Sequence, residues 1–164
     1  MQQIAGAAMS PTRLYFTGGA TAVLMGWRLS TIDVDIKLVP DSGGPLRELP
    51  RLKESLSINI ELAAPLDFIP VPPGWEERSP FIDSIGRMSF HHFDLVAQAV
   101  AKIERGHDLD HRDVAEMIDR GLVTPAHLLE YLQAIEPELF RYPALDPPAF
   151  RRAVLAAAAR GDPN

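Results

Sequence analysis

Two short stretches of this chain pair residue types with a spacing that suits chemistry: Thr17-Gly18-Gly19 and Asp33-Val34-Asp35. Thirteen residues lie between Gly19 and Asp33. The glycines follow a strand-like stretch, Arg13 to Phe16, and precede a helix-like one, Ala20 to Trp27. Glycine has no Cβ, so backbone amides at such a turn can come close to phosphate oxygens. The start of a helix adds partial positive charge there. Thr31 to Val39 alternates, with Ile32, Val34, Ile36 and Leu38 on one face and Asp33, Asp35 and Lys37 on the other. Residues two apart on a strand point the same way, roughly 7 Å apart at Cα. Two carboxylates so placed can share two magnesium ions about 4 Å apart. The plainer readings are a tight turn and a solvated strand face. Acids in the middle of an apolar strand are unfavourable unless something uses them. Taken together, the two stretches point to a site for a nucleoside triphosphate and its magnesium ions.

The order Gly-Gly turn, helix, Asp-x-Asp strand resembles the nucleotidyltransferase superfamily. Within it the chain is similar to the small bacterial branch of antitoxin-like and abortive-infection nucleotidyltransferases. The resemblance is strongest over residues 13–38 and weaker as far as Ile118. It implies an α+β fold, a minimal nucleotidyltransferase core of a small mixed sheet with flanking helices and a C-terminal helical annex. It also implies transfer of a nucleoside monophosphate to a hydroxyl, with Asp33 and Asp35 as Mg²⁺ ligands and Gly18 and Gly19 around the phosphates. A third carboxylate completes such sites, as metal ligand or as base for the incoming hydroxyl. Glu61, in Ile60-Glu61-Leu62, and Asp67, in Leu66-Asp67-Phe68, are the two candidates, and Glu61 is favoured. Many members have serine where this chain has Gly19, which leaves Thr17 or Thr21 to supply a hydroxyl. Lys102 and Arg105, followed by Asp110 and Asp113, resemble a basic helix of the abortive-infection branch. Lys102 is then a cation for the β- and γ-phosphates, or else part of an ordinary paired helix surface. Arg28 and Lys37 are further phosphate candidates. The branch also implies a protein or tRNA acceptor and a cognate toxin or antitoxin partner. The competing expectation is a catalytically inactive binding module that keeps the fold, as an antitoxin or a nucleotide sensor.

Composition sets the frame. The 164 residues are 46% hydrophobic and 23% charged, as in an ordinary globular protein. There is no cysteine, which excludes disulfides, thiolate zinc sites and a cysteine nucleophile. No apolar run reaches the roughly 18 residues that cross a bilayer, and Met1 to Pro11 lacks the basic start of a secretory signal. A cytoplasmic protein with no membrane contact is the expectation. The net charge of −6 argues against a broad nucleic-acid surface. Residues 1–60 carry six Lys/Arg and five Asp/Glu, whereas residues 61–164 carry ten and seventeen. The part with the Gly-Gly and Asp-x-Asp stretches therefore tolerates a polyanion better.

The elements that must position these residues follow from periodicity. Leu46 to Ser55 reads as a helix, Ser57 to Leu62 as a strand, and Phe81 to Ile85 with Arg87 to His91 as a hairpin. The stretch from Ala63 to Trp75 is proline-rich, with Asp67-Phe68-Ile69 as a short extended piece. From Asp94 the period is helical: to about Arg105, from Leu109 to Arg120, from Thr124-Pro125 to Ile135, and from Asp146 to about Gly161. A core over residues 1–93 and a helical region over 94–164 are expected. His107 and His111 are spaced as zinc ligands on one helix face, but no third ligand accompanies them. His91 and His92 point to opposite sides of a strand and read as hairpin residues.

Overall fold

A computed structural model describes residues 1–41 and 43–160. Ser42, in the expected loop after the Asp-x-Asp strand, and the helix stop at Gly161 lie outside the described residues. The chain divides into two compact units. The first is Met1–Ala64 with Ser79–Phe93, and the second is Pro65–Arg78 with the chain from Asp94 onward.

The first unit contains helix α1 (Gln2–Ala5), strand β1 (Thr12–Phe16), helix α2 (Gly18–Leu24), strand β2 (Asp33–Val39), helix α3 (Gly44–Leu56), and strands β3 (Asn59–Leu62), β4 (Phe81–Ile85) and β5 (Met88–His92). The strands form one mixed sheet in the order β3-β2-β1-β5-β4. β1 is antiparallel to β2 and parallel to β5, β2 is parallel to β3, and β4 is antiparallel to β5. Register pairs Leu14 with Leu38 and with Phe90, and Phe16 with Ile36, so these apolar residues share one face. Ile4, Ala5, Leu49 and Leu52 from α1 and α3 join them, with Ile60 and Met88, in a buried core. Each Leu, Ile, Met or Phe side chain among them contributes about 1.5–3 kcal/mol on burial. That burial fixes the register, because a slip by one residue would send the whole set to the other face. The other face of β2 therefore carries Asp33, Asp35 and Lys37.

The second unit is helical. Pro65–Asp67 is one 3₁₀ turn, α4 is Leu95–Arg105, α5 is Asp108–Asp119, α6 is Pro125–Ile135, a 3₁₀ stretch covers Glu136–Arg141, and α7 is Pro147–Arg160. Caps set the starts. Asp94 Oδ1 accepts from the N–H groups of Val96 and Ala97, and Thr124 Oγ1 accepts from that of His127. The extended piece expected at Asp67-Phe68-Ile69 is not formed: Asp67 ends that 3₁₀ turn, and Phe68 and Ile69 follow it in a turn and a bend. The N–H groups of both Phe68 and Ile69 bond to the Pro65 carbonyl, which winds the chain here. The protein is thus α+β, a five-stranded mixed sheet with flanking helices in one unit and helices in the other. Among the described residues no helix is long and apolar enough to cross a membrane.

Candidate functional site

β1 runs into α2 through Thr17, and the turn is held at several points. Thr17 N–H donates to the Asp35 carbonyl at 3.0 Å, and Thr17 Oγ1 donates to the Ala63 carbonyl at 3.2 Å. Gly18 has φ +56°, a conformation that L side chains rarely adopt. A Cβ on Gly18 would lie 2.5 Å from Asp35 Oδ2, so the Asp35 carboxylate leans directly over this residue. A Cβ on Gly19 would run into the Thr31 hydroxyl and stand 3.3 Å from Arg28 Nη1. Glycine is therefore favoured at 18 by its backbone conformation and at 19 by the Thr31 side chain packed against it. The position that would carry a serine side chain at residue 19 is filled by Thr31, whose hydroxyl donates to the Asp33 carbonyl at 2.9 Å.

The hydroxyls expected to replace that serine face inward. Thr17 and Thr21 are both buried. Thr17 bonds to Ala63 as above, and Thr21 Oγ1 donates to the Phe16 carbonyl at 2.9 Å. Arg28, by contrast, brings its guanidinium beside the Gly-Gly turn.

The carboxylates come together on β2 and β3. Asp33 is in register with Asn59, and Asp35 with Glu61. Paired residues of neighbouring parallel strands point to the same face about 4.8 Å apart. Asp33, Asp35, Asn59 and Glu61 hence form one patch on the face opposite the core. Asn59 Nδ2 donates to Asp33 Oδ1 at 2.8 Å and to Glu61 Oε1 at 2.9 Å. Sequence reasoning assigned Asn59 no part in this site. Hard oxygen donors of this kind are the ligands magnesium takes, so the donor set fits a magnesium site in its chemistry. As they stand, Asp35 leans to Gly18 while Asp33 and Glu61 share the Asn59 amide. Among the described residues no group of three or more His, Asp or Glu side chains is gathered to hold a metal ion. A cavity of about 560 Å³ lies on the opposite, apolar face, lined by residues including Phe16, Val34, Ile36 and Ile60. It contains none of the Gly-Asp set and is the gap that α1 and α3 leave over the sheet.

Asp67 and Lys102 belong to the second unit. Asp67 is exposed at the end of the 3₁₀ turn and lies on no strand. Lys102 is 4% exposed, and its ammonium is held by Asp113 Oδ2 at 2.5 Å and Asp110 Oδ1 at 3.3 Å. Arg105 forks onto Asp110 at 2.7 and 2.5 Å. The basic helix thus meets its charge within its own unit, through residues on α5 rather than on an exposed helix surface. His107 stands at the start of α5 without a capping hydrogen bond and His111 lies on α5, both exposed. In the first unit His91 stacks on Tyr15 with ring centroids 5.2 Å apart, and burial lowers its pKa.

No protein-family model, curated protein or solved structure matches this chain.

Proposed function

We propose that this protein is a metal-dependent nucleotidyltransferase that moves a nucleoside monophosphate from a nucleoside triphosphate to a hydroxyl of a protein or an RNA. The observation that carries the reading is the register of β2 on β3. It puts Glu61 beside Asp35, with Asp33 on the same face and the Gly18 turn under the Asp35 carboxylate. Two acids in an apolar strand beside a Gly-Gly turn and a third acid on the adjoining strand meet the needs of triphosphate chemistry. Asp67 carries less of this reading, because it lies on no strand beside β2.

Asp33, Asp35 and Glu61 would hold two Mg²⁺ ions. Magnesium, when bound, supplies positive charge at the triphosphate and makes the attacking hydroxyl more acidic. The backbone at Gly18 and Gly19 and the Arg28 guanidinium face the phosphates. The acceptor oxygen attacks the α-phosphorus, a new O–P bond forms, and the bond to the β-phosphate oxygen breaks to release pyrophosphate. The hydroxyl proton leaves to a carboxylate, and the exposure of Glu61 on the edge strand supports that role for it. The acceptor is a macromolecule in the toxin–antitoxin setting that the sequence resemblance implies, with a cognate protein partner.

The test is transfer. The pure protein is incubated with Mg²⁺ and each of four labelled nucleoside triphosphates, with and without bulk tRNA and cell lysate, beside Asp33→Asn/Asp35→Asn. Label moves to a macromolecule with the native chain and not with the variant. Absence of transfer together with a nucleotide-dependent rise in Tm would replace this reading by a nucleotide sensor. Absence of both would leave a binding module.

A further inference from the structure

His92 is the last residue of β5, and with Phe93 it closes on the end of β1 just before the Gly-Gly turn. The Phe16 carbonyl accepts two hydrogen bonds. One comes from Phe93 N–H at 2.9 Å and the other from Thr21 Oγ1 at 2.9 Å. His92 Nδ1 lies 3.2 Å from that same Thr21 oxygen. His92 is 7% exposed and Thr21 1%, so water does not compete for these groups.

The proton count then decides the tautomer. A threonine hydroxyl has one proton to give. Two oxygens 2.9 Å apart sit at hydrogen-bond distance only when a proton lies between them. The Thr21 proton is therefore committed to Phe16, and the contact with His92 has to use a proton on the ring. Burial lowers the pKa of His92, so the imidazole stays neutral at pH 7 and carries a single proton. That proton is on Nδ1, and Nε2 holds the bare lone pair. The result is a relay from His92 Nδ1–H through the Thr21 hydroxyl to Phe16 C=O. It ties β5, α2 and β1 together two residues before Gly18.

We propose that His92 is a positioning residue: as the Nδ1–H tautomer it locks Thr21 against the end of β1 and so sets the shape of the turn that carries Gly18 and Gly19. The same turn is pinned from the other side by Thr17, through the Asp35 and Ala63 carbonyls. Loss of the His92 bond leaves the Thr21 hydroxyl with its proton still on Phe16 but with no donor of its own, and α2 gains freedom to rotate about its first turn. The bearing of His92 on phosphate binding rests on the nucleotidyltransferase reading above. Its tautomer does not.

The tautomer is read on the full-length native protein, ¹⁵N-labelled, in long-range ¹H–¹⁵N spectra of the histidine rings at pH 7.5. His92 is assigned by the signals missing from His92→Asn. A protonated Nδ1 with a bare Nε2 is expected, and a protonated Nε2 with a bare Nδ1 overturns the proposal. The second arm measures binding of each of the four nucleoside triphosphates with Mg²⁺. Asparagine can present an amide N–H near the place of Nδ1, whereas alanine cannot. His92→Ala weakens nucleotide binding by about 5- to 10-fold, the affinity that one neutral hydrogen bond carries. His92→Asn restores most of it. Equal loss in both variants, or loss in neither, overturns the positioning role. No nucleotide binding by the native chain would sink the nucleotidyltransferase reading and the phosphate role with it, while the ring spectrum still decides the relay. The tautomer itself is read on the native protein alone, and there His92→Asn serves only to assign the ring signals.

Discussion

The Asn59 amide gives one proton to Asp33 and one to Glu61. Two carboxylates on adjoining strands repel each other, and an amide donor between them offsets part of that repulsion. Without it Glu61, exposed on a four-residue edge strand, is free to swing into water. Asn59→Ala is expected to weaken Mn²⁺ binding, followed by electron paramagnetic resonance, by about 3- to 10-fold, the worth of one or two exposed hydrogen bonds. Unchanged Mn²⁺ affinity would show that the Asn59 amide has no part in metal binding. The pair Asp33 and Asp35 was readable from sequence because acids at alternate positions of an apolar strand stand out by period alone. Asn59 was not, since its part depends on β2 and β3 being parallel with Asp33 opposite Asn59, and register between strands 26 residues apart leaves no local mark. The space over Gly19 is a like case. That Thr31 fills the space over Gly19 depends on a chain reversal between α2 and β2 that no spacing rule reports.

At the level of elements, helix boundaries were legible where a capping side chain marks them, as at Asp94 and Thr124. What periodicity could not give is which helix meets which charge. Lys102 and Arg105 on α4 read as cations for phosphates or as a paired helix surface, yet they close on Asp110 and Asp113 of α5, both nearly fully buried. The network carries two positive and two negative side chains, so its formal charge cancels within the second unit. Burial pushes the Asp110 carboxyl upward. The Arg105 guanidinium and the Lys102 ammonium outweigh that push and hold it below the usual carboxylate range. A carboxyl whose folded pKa lies below its unfolded value, near 3.9, stabilises the fold above that value and loses the contribution as pH falls through the folded pKa. Native stability should therefore drop as pH is lowered below about 4. Asp110→Asn should start lower at pH 7 and lose less on acidification. Urea midpoints of both proteins at pH 7 and pH 3 measure this, and parallel losses would mean that Asp110 does not carry the acid sensitivity.

For the whole molecule the sequence order is a poor guide to the units. The first unit ends at Phe93, but Pro65–Arg78 groups with the helices that follow it by many residues. Its bonds show why this was not legible. Tyr142 Oη donates to the Leu66 carbonyl across 76 residues, and Arg78 reaches Asp94 at 2.7 Å while donating to the carbonyls of Pro72 and Pro73. A proline-rich stretch read alone is a loop. Its membership of a unit is set only by distant partners. If the division is right, stability lost in the helices must be lost by this segment too. Leu128 on α6 is fully buried, and Leu128→Ala should remove about 2–5 kcal/mol from the second unit. Native-state hydrogen exchange on the full chain then resolves the two units. The amides of Phe68 and Ile69, which bond to Pro65, should speed up together with those of α4 and α6. Amides protected by opening of the whole unit should exchange at least about 30-fold faster, as that loss of free energy requires. The β1 and β2 amides should change far less. Phe68 and Ile69 keeping pace with β1 and β2 instead would place Pro65–Arg78 with the sheet, and the two units would have to be redrawn at Phe93.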